Sequence, residues 1–363
     1  MHRVLVFAAL TAAAETVEVP FQSHDGHAMF GKLTLPDAPK AVVIYVQTAE
    51  GATVDMKRPK PGGTFNYFDL YREKLPPLGV GFFSYEGRGI RMGPRPPRFE
   101  DIDEAVYNTS TLDNKVRDAL TAAAIVRKRA PGTKIFLMGA SEGTFLAAQA
   151  AARSPKEIDG LVLYAVLSTT LKDALKYMSS DGNYMVLKNA FDTNNDGRVS
   201  RAEWNADARK LRERSMKNVP FETFDVNKDG IFTVEDMRAL RKQTTDGIEA
   251  EYMDAIDAFL KPTAAVAAPK GWVLDHFSHP PMWTYLAPLQ IPVGFFHGDA
   301  DNLTPIEGVR QLEARAKKEG KTNFHFHYFS GLDHTLNIGN YFTRGELPEG
   351  HKTIFEFVQE LAR

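Results

Sequence analysis

The chain has 363 residues, no cysteine and a formal net charge of -2. The missing cysteine excludes disulfides, thiolate catalysis and cysteine-bound zinc, and the near-neutral charge offers no electrostatic case for nucleic acid as a partner. With 43% hydrophobic and 25% charged residues it is an ordinary globular chain, long enough for one large domain with an insertion or for two domains.

Residues 1–14 have a short basic start (His2, Arg3), an apolar stretch over 4–10 and then Ala12-Ala13-Ala14 before Glu15. This is the layout of a secretory signal with a small-residue cleavage site, which would make the protein secreted or periplasmic. The competing reading is a first strand or a frayed end, in which case the protein is cytoplasmic. The stretch is too short to span a bilayer, and no other is apolar enough to do so.

Residues 16–19 and 29–35 read as two edge strands about the turn His24-Asp25-Gly26. The continuous apolar run 41–46 is what a strand buried on both faces requires. Helical spacing over 65–75 follows, then a strand over 81–85, a long helix over 111–129, a strand from 135, a helix over 145–153 and a strand over 160–166. Regular alternation of this kind predicts a mostly parallel, doubly wound α/β sheet with helices on both faces. The rhythm stops at Leu171 and resumes with a strand over 291–298, a helix over 306–318, a strand over 324–329 and a helix over 352–361. The core is therefore expected over 15–170 and 286–363, with a cap inserted over 171–285.

Two loops in the cap repeat one pattern. Asp192, Asn194, Asp196, Arg198 (through its carbonyl), Ser200 and Glu203 stand at alternate or terminal places of a twelve-residue run, with Gly197 at the bend. Asp225, Asn227, Asp229, Ile231 (through its carbonyl), Thr233 and Asp236 repeat it around Gly230. A hard cation such as calcium takes about six to eight oxygens, and this spacing wraps them from one short segment. Helical patterns over 184–190 and 203–216 flank the first loop, and Val199 and Phe232 are placed to pair as a short ladder. The region 184–245 resembles the EF-hand family. That resemblance implies calcium as cofactor, one or two ions, with the shorter Asp236 making the second loop weaker or open to magnesium.

The third feature is Gly139-Ala140-Ser141-Glu142-Gly143, where an apolar strand breaks at a serine between glycines and an Ala-rich helix follows. Such a tight strand-to-helix turn pushes the hydroxyl out of the fold; the bland alternative is a glycine-rich turn with an idle serine. A serine hydroxyl needs a base and a group that orients the base. Asp299 and Asp301 follow one late strand and His334 follows the next, so both fall at the carboxyl edge of the sheet, in the order serine, acid, histidine.

With this elbow, the turn His297-Gly298-Asp299-Ala300-Asp301 and the turn Gly331-Leu332-Asp333-His334, the core resembles the α/β-hydrolase family. The likeness implies Ser141 as nucleophile, His334 as general base and Asp301 as orienting acid, with Asp299 as the alternative acid. Oxyanion donors are expected from the backbone of Glu142 and of Ala49, with Thr48 next. Here the sequence departs from the family, reading Thr48-Ala49-Glu50-Gly51 where a His-Gly or Gly-Ser-Gly run is familiar.

The expected protein is a serine hydrolase acting on a small-molecule carboxylic ester, with no nucleic-acid partner and no membrane span. A peptidase or amidase of the same fold is the alternative, and a non-catalytic calcium-dependent binding protein is the third reading. His276 with His279, and His325 with His327, read as polar surface or lid residues, and Arg88 as a brace at the edge of the site.

Overall fold

The computed structural model describes residues 14–48, 52–254, 256 and 270–363. All of the expected signal segment except Ala14 lies outside the described residues, as does Ala49.

The strands are β1 (Glu15–Gln22), β2 (Ala28–Leu35), β3 (Ala41–Tyr45), β4 (Lys57–Lys60), β5 (Gly63–Asn66), β6 (Val80–Tyr85), β7 (Ile90–Met92), β8 (Glu100–Ile102), β9 (Lys134–Ala140), β10 (Gly160–Tyr164), β11 (Val199–Ser200), β12 (Ile231–Phe232), β13 (Val293–Gly298) and β14 (Phe324–Phe329). Eight of them form one sheet in the order β1-β2-β6-β3-β9-β10-β13-β14. β2 runs antiparallel to both its neighbours, and every pairing from β6 to β14 is parallel. β2 is thus an inner strand, a correction to its reading as an edge; its alternation of buried and half-buried positions suits both places equally.

The pleat divides the apolar residues of these strands between two cores. Val42, Ile44, Ile135, Leu137, Leu161, Leu163, Val293 and Phe295 face one way. They pack with α3 (Leu112–Arg129), which follows the short helix α2 (Glu104–Tyr107), and with α4 (Glu142–Arg153). Val43, Tyr45, Phe136, Met138, Val162, Tyr164 and Phe296 face the other way, toward α1 (Asp69–Lys74) and the C-terminal helix Glu349–Ala362. A run buried on both faces is what β-strands covered by helices on both sides demand.

Two helical expectations need correction. The segment 65–75 is helical only over Asp69–Lys74; Phe65 belongs to the β4–β5 hairpin, where it stacks on Phe342 at 4.1 Å, and Pro76 and Pro77 close the helix. The helix expected over 203–216 is two, α7 (Arg201–Ala206) and α8 (Leu211–Ser215). The chain breaks at Asp207 (φ 23°), whose carboxylate then accepts from the backbone N–H groups of Leu211 and Arg212 and starts the second.

Between β10 and β13 the described chain is mainly helical. α5 (Leu171–Tyr177) runs into a π-helical turn, Met178–Gly182, and then into α6 (Asn183–Phe191). The calcium-type loops follow, joined by the antiparallel pair Val199↔Phe232 and Ser200↔Ile231. They share a small core of their own in which Trp204, Phe224 and Phe232 are buried. α9 (Val234–Glu249) leaves the second loop, and a further cap helix spans Lys270–Ser278.

Candidate active site and cap

Ser141 joins β9 to α4 with φ 53° and ψ −125°. For a residue with a side chain this is strained backbone, costing roughly 1–3 kcal/mol, and such strain persists only where surroundings enforce it. The enforcement is visible. A Cβ on Gly139 would collide with the backbone of Gly143, and one on Gly143 would stand 2.9 Å from the carbonyl oxygen of Val46. The hydroxyl of Thr144 donates to the carbonyl of Ser141 at 2.6 Å and accepts the N–H of Leu167 at 3.1 Å, pinning the turn from its helical side. The two flanking glycines are therefore a packing requirement of the elbow.

β9, β10, β13 and β14 are parallel neighbours, so their carboxyl ends share one edge. Asp301 follows β13 and His334 follows β14, and the structure brings their side chains together: His334 Nδ1 is 2.9 Å from each carboxylate oxygen of Asp301. Asp301 is 2% exposed. Its Oδ1 also accepts the backbone N–H groups of Leu303 and Thr304, at 2.8 and 2.9 Å, and its Oδ2 accepts the Thr304 hydroxyl at 2.7 Å. Burial drives this carboxyl toward its neutral form, but the imidazole of His334 and the donors around it prevail and hold it down at about 2. An ionised acceptor at Nδ1 fixes the neutral ring of His334 with its proton there and leaves Nε2 free to take one.

Asp299 does not reach the imidazole. It is exposed, and its carboxylate accepts the N–H of Gly331 at 2.7 Å, tying the two turns together. His297 stands behind the acid as a neutral ring: Val166 N–H donates to its Nδ1 at 3.0 Å, its Nε2–H donates to the Thr304 carbonyl at 3.1 Å, and burial lowers its pKa.

Of the expected oxyanion donors, Glu142 is the first residue of α4 and Ala49 falls outside the described residues. Gly143 packs against the end of β3, so the loop that carries Thr48 adjoins the elbow. Glu142 also shows what the sequence did not. Its side chain is buried against Trp272 and His276 of the cap helix and Lys115 of α3. His276, 2% exposed, is no surface residue, because its ring lies on Phe145 (5.1 Å) and next to Glu142. His327, half-buried, stacks on Phe296 at 4.8 Å. Arg88 is buried and pairs with Asp118 and Asp25, bracing β6 to α3. No single residue signal marks Lys115 or Trp272; only the fold brings them together.

In the cap, Asp192 Oδ2 accepts the N–H of Gly197 at 2.9 Å while its Oδ1 is buried without a hydrogen-bond partner, the kind of orphaned oxygen a cation would satisfy. Asn194 and Asp196 fold inward onto the loop's own N–H groups, and the second loop repeats this with Asn227 and Asp229. The twelfth residues, Glu203 and Asp236, sit in capping boxes with Ser200 and Thr233. Glu203 is pulled down to about 2, first by the backbone N–H of Ser200. Its carboxylate is engaged with Ser200, Thr193 and Asn194, and among the described residues no three His, Cys, Asp or Glu side chains converge as a metal centre. The oxygen donors fit calcium in kind and spacing.

A mostly parallel eight-stranded sheet with a strained serine elbow and an Asp–His pair at one edge has the layout of an α/β hydrolase. Comparison with known proteins agrees. Residues 98–182, which include the elbow, match the model of the family described as serine aminopeptidase, S33, and residues 189–206 match the EF-hand model. Among solved structures the chain is similar to a thermostable carboxyl esterase from Bacillus coagulans, at 14% identity over 96% of this chain and 99% of that one, with TM-score 0.53. It is also similar to the Pyrococcus horikoshii acylaminoacyl peptidase, at 13% identity over 98% of this chain, with TM-score 0.51; the match spans 42% of that peptidase. No curated protein matches the chain. The protein has the α/β-hydrolase fold and carries an EF-hand motif in its helical cap. Among the described residues no helix is long and apolar enough to cross a membrane.

Proposed function

We propose that the protein is a serine hydrolase of carboxylic esters in which Ser141, His334 and Asp301 form a catalytic triad. The observation that carries this reading is the 2.9 Å pairing of His334 Nδ1 with the buried Asp301 carboxylate, at the sheet edge where the Ser141 elbow ends β9. In this mechanism His334 Nε2 takes the proton of Ser141 as its oxygen attacks the ester carbonyl. The anionic oxygen accepts the N–H of Glu142 and of the loop after Thr48. His334 then protonates the departing alcohol, and water repeats the sequence to release the acid. Asp301 stays ionised throughout and stabilises the imidazolium.

Covalent labelling by a fluorophosphonate, lost in Ser141→Ala, tests the nucleophile. Unlabelled, folded wild-type protein would favour a calcium-dependent binding protein instead. The match to the serine aminopeptidase model favours a second substrate class, amides. Turnover of short p-nitrophenyl esters but not aminoacyl anilides separates the two.

The proposal extends to the cap, where Asp192, Asn194, Asp196, Arg198 carbonyl, Ser200 and Glu203, and their counterparts Asp225, Asn227, Asp229, Ile231 carbonyl, Thr233 and Asp236, hold one or two calcium ions for stability. It extends also to export, with residues 1–14 as a cleaved signal; amino-terminal sequencing of protein recovered outside the cytoplasm checks this.

A further inference from the structure

Immediately behind the elbow lies a buried charge cluster that acyl transfer as described does not use. Glu142 is 5% exposed and Lys115 8%. Glu142 Oε1 accepts the indole N–H of Trp272 at 2.6 Å and is 3.2 Å from His276 Nε2; Oε2 is 3.5 Å from the Lys115 ammonium. The same ammonium donates to the backbone carbonyl of Thr48 at 3.2 Å. One side chain of α3 therefore holds two segments at once: the residue that follows Ser141, and the start of the loop that follows β3.

These are the two segments proposed above to supply the oxyanion donors. An ionised carboxylate one residue from the nucleophile would oppose negative charge developing on the substrate oxygen, most of all where water is excluded. Glu142 is ionised here: burial works against its charge, and Lys115 is the foremost influence that keeps its pKa below the ordinary value. A neutralising cation is thus a requirement of the arrangement.

We propose that Lys115 and Glu142 are positioning residues of the oxyanion hole: Lys115 draws the Thr48 loop and the Glu142 end of α4 to a fixed separation and cancels the carboxylate charge beside the developing oxyanion. The proposal rests on the serine-hydrolase reading above.

The test is made on the full chain with p-nitrophenyl butyrate, fluorophosphonate labelling and a short alkylboronic acid as a transition-state mimic. Lys115→Met should lower kcat about tenfold or more while KM stays within about twofold, and should weaken boronic acid inhibition in parallel. Lys115→Arg should recover most of the loss, and adding Glu142→Gln to Lys115→Met should recover part, since no uncompensated charge is then left. A folded Lys115→Met with kcat near wild type, or with KM raised and kcat unchanged, overturns the proposal. Should Lys115→Met not fold, Lys115→Gln is read in its place, with the same fall in kcat expected and an unchanged kcat counting against. Wild-type protein that neither labels nor turns over ester sinks the serine-hydrolase reading and this one together. Wild-type activity with indifferent variants sinks only this one.

Discussion

Tyr177, on the first helix of the cap, donates its hydroxyl to the backbone carbonyl of Asp301 at 2.9 Å. Five residues on, Gly182 packs so closely under the same loop that a Cβ would collide with the carbonyl oxygen of Asn302. The π-helical turn between them, Met178–Gly182, is tied to α9 by the ion pair of Asp181 with Arg238, two residues beyond Asp236. A continuous set of contacts therefore runs from the second calcium-type loop to the loop that carries Asp301. Tyr177→Phe should cost about 1 kcal/mol in denaturant unfolding, and kcat should fall more than KM rises. Gly182→Ala should be worse on both counts, because backbone must shift to admit it.

Removing calcium gives the second expectation. A ligand bound only by the folded state stabilises it by mass action, about 2.7 kcal/mol at a hundred times its Kd. The melting temperature should rise with added calcium and fall with a chelator. Asp192→Ala should abolish most of that response, and Asp236→Ala should remove a smaller share. Melting curves indifferent to chelation would count against calcium in the cap.

Replacing the acid tests the orientation of the base. Asp301→Asn should drop kcat by about a thousandfold or more, because an amide can hold the wrong tautomer of His334. The carboxyl lies at about 2 in the fold against an ordinary 3.8. A lowered value means stability that is complete above pH 4 and is lost as the pH falls from about 4 to 2, amounting to ~2 kcal/mol. The difference in stability between wild type and Asp301→Asn should shrink across that window, measured by urea unfolding.

Glu86, at the end of β6, behaves oppositely. Burial pushes its carboxyl up from 4.5 to about 7, against the attraction of Arg91. Between about pH 4.5 and 7 the unfolded chain gives up this proton before the folded one, so stability declines as the pH rises. Glu86→Gln should remove that part of the decline and melt higher than wild type at pH 8, while the two proteins converge near pH 4.

Much of this was legible in the chain because its signals are local. The twelve-residue loops carry their pattern in consecutive positions, and the ladder expected between Val199 and Phe232 forms. Ser141, Asp301 and His334 could be singled out because each follows a strand expected to end at one edge of a parallel sheet; the pairing of the last two is a fact of the fold. What escaped the sequence depends on distant contacts. Lys115 and Glu142 meet across a helix pair, and Trp272 and His276 reach Glu142 from more than a hundred residues away. The β4–β5 hairpin was missed because Phe65 stands at helical spacing, three residues before Phe68, while it packs against Phe342. The second break, at Asp207, depends on a carboxylate turning back on its own backbone, which periodicity does not register.

The helix Lys270–Ser278 does more than roof the edge of the sheet. Trp272 donates to Glu142, His276 stands 3.2 Å from the same carboxylate, and Asp275 accepts the N–H of Leu112 at 2.8 Å, capping α3. Lifting that helix would strand an anion beside Ser141 and leave an amide bare at the head of the neighbouring helix. Under the proposed mechanism, the carboxylate next to Ser141 is therefore shielded only while that helix is seated.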